Sequence, residues 1–150
     1  MNRQDRRILE LLQADSRISN ADLAEKAGLS ASSCWRRVRS LEEAGVIERY
    51  GVVVNPAKIG LGFQAVVLVH LTRHDRSQLD AFIRAVNNRA EVQECYATTG
   101  QADYHLRVLC RDIDAYNTFL EDFLFQLPGV QSAQTNVVLR EIKRGNRVVL

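Results

Sequence analysis

Residues 3–15 place Ile8, Leu11 and Leu12 on one face and charged residues around the rest. That i, i+3, i+4 spacing predicts an amphipathic helix, with Ile18 packing beneath it. Ser19 reads as an N-cap with Asp22 three residues on, a variant of the capping box. A second helix follows over 20–27, with Leu23, Ala24 and Ala27 inward. Gly28 stops it, because a residue after a helix often needs positive φ. Leu29 returns to the core and Ser30 caps a third helix over 31–44. At about 100° per residue, Val38 and Leu41 fall within ~40° of Cys34 and form the buried stripe. Ser32, Arg36, Arg39, Ser40 and Glu43 fall opposite; Ser33, Trp35 and Arg37 lie on the flanks. Two helices joined by such a turn follow the grammar of a helix-turn-helix.

Gly45 ends the third helix. Residues 46–54, from Val46 to Val54, are rich in strand formers and predict an extended segment leaving the unit. Asn55-Pro56 and the glycines at 60 and 62 mark a boundary. Domains are therefore expected at 1–54 and 62–150. The second alternates strand and helix: strands at 63–72, 92–99, 104–110 and within 130–143, helices at 76–88 and 113–126. The first of those helices aligns Leu79, Phe82, Ile83 and Val86. The second aligns Ile113, Tyr116, Leu120, Phe123, Leu124 and Leu127, and Pro128-Gly129 breaks it. The order β-α-β-β-α-β predicts a ferredoxin-like, ACT-like sheet with both helices on one face. The fold class is α+β, a three-helix winged helix-turn-helix followed by this sheet domain. The bare sheet face, supplied with Val, Leu and Tyr, is expected to be covered by a partner subunit.

Composition changes little. A hydrophobic fraction of 46% and a charged fraction of 25% are those of an ordinary globular protein. No apolar run approaches the ~20 residues of a membrane span. The polar start has no signal-peptide pattern, so the expected location is the cytoplasm. Cys34, Cys95 and Cys110 have apolar neighbours and no paired spacing, which predicts buried, reduced thiols. Residues 1–54 hold nine Lys and Arg against eight Asp and Glu; residues 55–150 hold eleven against ten. Each part is +1, so a nucleic-acid reading must rest on where charge is placed.

The outer face of the third helix supplies that placement. Arg grips guanine or a phosphate; Ser bonds either a base edge or a phosphate. The plain alternative is a solvated face. On the second helix of a helix-turn-helix the candidate DNA-binding set is Ser30, Ser32, Ser33, Trp35, Arg36, Arg37, Arg39 and Ser40. Glu42 and Glu43 should face away from phosphates or accept bonds from Arg36 or Arg39. Elsewhere His70 and His74 are four apart, but they close a strand and enter a turn, and no further ligand completes a metal site. His105 reads as a sheet residue. No phosphate-loop, dinucleotide or nucleophile-elbow motif occurs, so catalysis has no evident carrier and no cofactor is expected.

Nearly the whole chain resembles the Lrp/AsnC family of bacterial and archaeal transcription regulators. The marks are Asp5-Arg6, Ile8-Leu9, Arg17 to Asn20, Gly28-Leu29-Ser30, Arg37-Val38, Leu41-Glu42 and Gly45. Later come Glu91-Val92, Glu94-Cys95, Thr99-Gly100, Asp103-Tyr104, Leu127 to Val130 and Glu141 to Lys143. The resemblance implies double-stranded DNA as partner and a homodimer formed through the second domain, assembling into tetramers or octamers. It also implies a small effector, usually an amino acid, bound between subunits. The implied effector residues are Thr98, Thr99, Gly100, Gln101, Ala102, Asp103 and Tyr104, with Thr135, Asn136 and Val137 approaching from another subunit. Gly100 lets backbone approach a ligand, and Asp103 is suited to receive an α-ammonium group. The alternative is a plain hairpin turn. Gln101 and Ala102 depart from the family's usual acidic or polar residue followed by an aromatic, which leaves the effector's identity open. Two rival readings remain: an effector-independent chromosome-organising protein, and a small-molecule sensor module.

Overall fold

The computed structural model describes residues 1–72, 76–145 and 147–150. Two units emerge: Met1–Val53 together with Lys143–Leu150, and Val54–Ile142.

The first unit is built on three helices, α1 (Arg3–Ala14), α2 (Asn20–Ala27) and α3 (Ala31–Glu43). Each begins on the side chain of a polar residue. Asn2 accepts from the Asp5 N–H at 2.9 Å, Ser19 from Asp22 at 3.1 Å and Ser30 from Ser33 at 3.2 Å. These bonds satisfy donors that a helix start leaves orphaned. Ile8, Leu9, Leu23, Ala24, Cys34 and Leu41 form the core. Leu11 and Leu12 are only half-buried, so the buried stripe of α1 is centred on Ile8 and Leu9. Residues 46–54, expected as an extended segment leaving the unit, join no sheet. The segment's β-branched residues are suited to a ladder, but a strand exists only where another backbone pairs with it. Val52, Val53 and Val54 are exposed instead.

The second unit follows the predicted order. A 3-10 turn at Pro56–Ile59 leads to β1 (Phe63–Leu71), α4 (Arg76–Asn87), β2 (Val92–Ala97), β3 (Tyr104–Cys110), α5 (Ile113–Asp122) and β4 (Val130–Val137). The sheet order is β2-β3-β1-β4, with every neighbouring pair antiparallel. Ala65, Val67 and Val69 of β1 and Leu106 and Val108 of β3 pack on Phe82, Val86, Tyr116 and Phe119, so both helices cover one face. Val66, Leu68 and His70, the alternate residues of β1, point to the other face and are half-buried. By register Val66 lies beside Arg107 and Leu68 beside His105.

Two expected core residues lie outside it. Ile83 is exposed because Phe82 and Val86, four apart, take the inward stripe of α4. Ile113 is exposed because Tyr116 and Phe119 set the inward face of α5. Cys34 and Cys110 are buried, whereas Cys95 is half-buried. His74 lies outside the described residues. Among the described residues no cluster of His, Cys, Asp or Glu is arranged to hold a metal, and no helix is long and apolar enough to cross a membrane.

Candidate functional site

The turn between α2 and α3 is set by Gly28, whose φ of +68° is a left-handed conformation. The N–H of Gly28 donates to Glu25 O at 3.1 Å and that of Leu29 to Ala24 O at 2.9 Å, closing the end of α2. Asn20 donates its amide to Ala31 O at 3.1 Å across the turn. The two helices are thereby locked, and α3 presents a fixed outer surface.

On that surface Ser32, Trp35, Arg36, Arg39 and Ser40 are exposed, Trp35 by 60%. Ser30 serves the helix start, and its hydroxyl lies 3.3 Å from that of Ser32. Ser33 is half-buried. The Arg39 Nε donates to Glu43 at 3.1 Å, as the spacing predicts. This exposed pair contributes little and leaves the guanidinium available to a phosphate. Arg37 is different. Its Nη1 donates to Asp5 Oδ1 of α1 at 2.8 Å, and its Nε is buried without an acceptor among the described residues. Arg37, which its spacing put on a flank of α3 and in the candidate DNA-binding set, therefore ties α3 to α1.

Tyr50 joins this surface, although nothing in its local sequence beyond strand propensity points there. Its hydroxyl donates to Glu42 at 2.8 Å. Burial, aided by the Glu42 carboxylate, pushes the phenol up to about 12. Tyr50, Trp35, Arg39 and Glu42 share a cleft of about 350 Å³ with Leu12, Ser16 and Ile18.

In the second unit the β2–β3 turn is stitched internally. Thr98 donates its N–H to Asp103 O at 3.0 Å and its hydroxyl to Ala102 O at 3.1 Å. Gly100 carries φ +120°. Asp103 closes the end of β1: its carboxylate accepts from the Leu71 N–H at 2.8 Å and its own N–H donates to Val69 O at 3.0 Å. Thr98, Thr99, Gly100 and Gln101 are exposed. Ala102 is buried, at 3% exposure, so its side chain is core and does not line an open surface. The Tyr104 ring packs 5.0 Å from Phe82 in the helix layer, and burial raises its phenol.

The β4 residues stand apart from this turn within one chain. Tyr104 is level with Val69 and hence with Ala133, whereas Thr135, Asn136 and Val137 pair with Val67, Val66 and Ala65. At ~3.3 Å per residue they lie roughly 7–13 Å further along the sheet. Thr135 turns to the helix layer, 2.6 Å from the Tyr116 hydroxyl. Asn136 and Val137 are exposed.

Comparison with known proteins agrees with both units. Residues 1–48 match the family model for winged helix-turn-helix DNA-binding, and residues 64–148 match that for the Lrp/AsnC ligand-binding domain. The leucine-responsive regulatory protein of Escherichia coli is 39% identical over 150 residues, covering 100% of this chain and 92% of the relative. Transcriptional regulator AzlB of Bacillus subtilis is 36% identical, covering 96% and 92%. Among solved structures, a transcriptional regulator of Neisseria meningitidis in complex with L-Met superposes with a TM-score of 0.95 at 35% identity, covering 99% of this chain and 96% of that one. An AsnC family regulator from Agrobacterium tumefaciens gives 0.94 at 35% identity, covering 99% and 97%. With a DNA-binding helix-turn-helix ahead of a ligand-binding βαββαβ unit, and relatives of this identity over nearly its full length, the chain belongs to the Lrp/AsnC family of DNA-binding transcriptional regulators.

Proposed function

We propose that the chain is a sequence-specific regulator that acts in the cytoplasm as a homodimer or a larger assembly of dimers. The observation that carries this reading is the division of labour on α3. Arg37 holds the helix, while Arg36, Arg39, Ser32, Ser40 and Trp35 stand exposed on it. A dimer then presents two such helices about one helical turn apart, ~34–36 Å, to a pseudo-palindromic site. The half-buried Val66 and Leu68 on the bare sheet face support dimerisation through that face.

The effector is an amino acid, held by the exposed part of the 98–103 turn of one subunit and by Asn136 and Val137 of another. The L-Met complex of the Neisseria relative supports this class of ligand. The separation of the two groups within one chain supports a site completed by a neighbour. Ligand binding between subunits shifts the spacing of the recognition helices, a coupling between two distinct sites.

Replacing Arg36 and Arg39 with Ala tests the DNA reading. In a gel-shift titration operator affinity is expected to fall at least tenfold while light scattering reports an unchanged assembly. Unchanged affinity would sink the assignment. A thermal-shift screen against the twenty amino acids tests the effector, because a ligand that binds only the native state raises apparent stability. No shift by any of them favours an effector-independent protein.

A further inference from the structure

Lys143, Arg144 and Arg147 fall within eight residues that contain no acidic side chain. Read along the chain, they belong to the second domain, and charge is even. The structure groups Lys143–Leu150 with the first unit instead. That unit then holds twelve Lys and Arg against eight Asp and Glu, and the other holds eight against ten. The even split becomes +4 on the DNA-binding unit and −2 on the other.

Hydrogen bonds and packing fix this segment to its unit. The Val148 N–H donates to Gln13 Oε1 at 2.7 Å, and the Gln13 amide donates back to Val148 O at 3.1 Å. An Arg147 Nη donates to Ala14 O at 3.4 Å, one of the carbonyls left open at the end of α1. Leu150 packs against the three-helix core. Gln13 and Ala14, which hold the segment, follow Leu12 at the end of α1, and Leu12 lines the cleft together with Trp35 and Arg39 of α3. A solvated tail needs no such fastening. Fastening lowers the ordering cost of a later contact, because the backbone is already placed.

We propose that Lys143–Leu150 is a basic arm of the DNA-binding unit, which neutralises backbone phosphates beside those met by α3. The inference rests on the DNA-binding reading and adds a second contact segment to it. Phosphate contacts of this kind carry no base preference, so the arm strengthens binding to operator and random duplex alike.

The test is a salt titration of duplex affinity with the full-length chain, comparing wild type with the triple variant Lys143→Gln, Arg144→Gln and Arg147→Gln. Each phosphate contact contributes a slope of about 0.9 to the fall of log affinity with log salt. The triple variant is expected to lower the slope by about 2–3 per protomer, and affinity by roughly 10- to 100-fold at low salt, on both duplexes. The charge-preserving variant Lys143→Arg, Arg144→Lys and Arg147→Lys is expected to keep the wild-type slope, which separates charge from folding. Gln13→Ala, which frees the arm and keeps its charges, is expected to lose less than the triple variant. An unchanged slope in the triple variant, with wild type binding normally, overturns the arm and leaves the recognition helix standing. A wild type that binds no duplex overturns the DNA reading and the arm with it.

Discussion

Arg37 Nη1 stands 2.8 Å from Asp5 Oδ1, so one of the three arginines of α3 holds that helix against α1. The two side chains are only 28% and 18% exposed. Removing either leaves a partly buried charge without its partner, which costs about 1–3 kcal/mol. In a unit of this size that is a fall of several degrees in melting temperature, at ~4–8 °C per kcal/mol. Asp5→Ala and Arg37→Ala are each expected to show it, and the double variant to lose less than the sum, because the second change removes an already widowed group. Arg36→Ala is expected to leave the melt unchanged. Circular dichroism melts decide between the two roles. An Arg37→Ala chain with a wild-type melt but lost DNA affinity would return Arg37 to the contact surface.

Gly129 combines a left-handed backbone with a close neighbour. Its φ is +87°, and an added Cβ would stand 2.9 Å from Gln78 Oε1 and 3.1 Å from Gln78 Cβ. Its carbonyl also accepts the Thr72 N–H at 2.8 Å, so the backbone cannot move away freely. Gly60, in the same unit, has φ +83° and nothing within 4 Å of an added Cβ. Alanine at Gly60 is expected to cost about 1–2 kcal/mol from the backbone alone. Alanine at Gly129 should cost roughly 1 kcal/mol more, since Gln78 must shift as well. Urea denaturation of the two variants measures the difference, and equal midpoints would show that Gln78 yields without cost.

What the sequence disclosed was the local chemistry. The caps Ser19 and Ser30, the stop at Gly28 and the 3.6-residue stripes act within a few positions of themselves, and all three helices of the first unit followed from them. The βαββαβ order was equally legible, because the apolar run at 63–72 and the strand formers at 92–99 and 104–110 stand apart from the helical spacing at 76–88 and 113–126. Partners distant in sequence were not legible. A helical wheel put Arg37 on a flank but had no means of finding Asp5, 32 residues away. The same limit hid the contact between Val148 and Gln13, so the tail's charge was assigned to the second domain. Residues 46–54 have strand composition without a ladder partner in one chain. Ala102 illustrates a finer limit: a turn motif names a run of residues, while the fold sends one side chain to the core and its neighbours to solvent.

Alkaline pH offers a test of the tyrosine hydroxyls. Tyr50, Tyr96, Tyr104 and Tyr116 all have phenols raised above the ordinary 10.0. Tyr116 matters most for stability, since it is 3% exposed and its shift comes first from burial. A raised folded value means that the native state keeps protons that the unfolded chain releases. Stability is then fully present below pH ~10 and falls as pH rises through the folded values. For Tyr50 that window runs from 10 to about 12. The three cysteines, raised above 9.0 by burial, begin the decline about a unit earlier. Urea midpoints are expected to hold between pH 7 and 8.5 and to drop steadily from 9 to 11. Tyr116→Phe should lower the midpoint at pH 7, since its hydroxyl bonds Thr135, and flatten the alkaline decline. A decline of wild-type steepness in that variant would remove Tyr116 as its source.

Asp103 holds two roles that substitution can separate. Its Oδ2 accepts the Leu71 N–H at 2.8 Å, a structural bond that needs only an acceptor oxygen. The proposed effector contact, by contrast, needs negative charge to meet an α-ammonium group. Asp103→Asn keeps an acceptor of the same shape and removes the charge, so the ligand-free melt is expected to stay within a degree or two of wild type. Asp103→Ala leaves the Leu71 N–H unpaired and should cost about 1–3 kcal/mol. With the amino acid identified by the thermal screen at about 100 times its dissociation constant, wild type should gain ~2.7 kcal/mol of apparent stability. Asp103→Asn is expected to lose most of that gain while folding normally, which places the carboxylate on the ligand. If Asp103→Asn kept the full gain, the carboxylate would belong to β1 alone, and the ammonium group would have to be met by the neighbouring subunit.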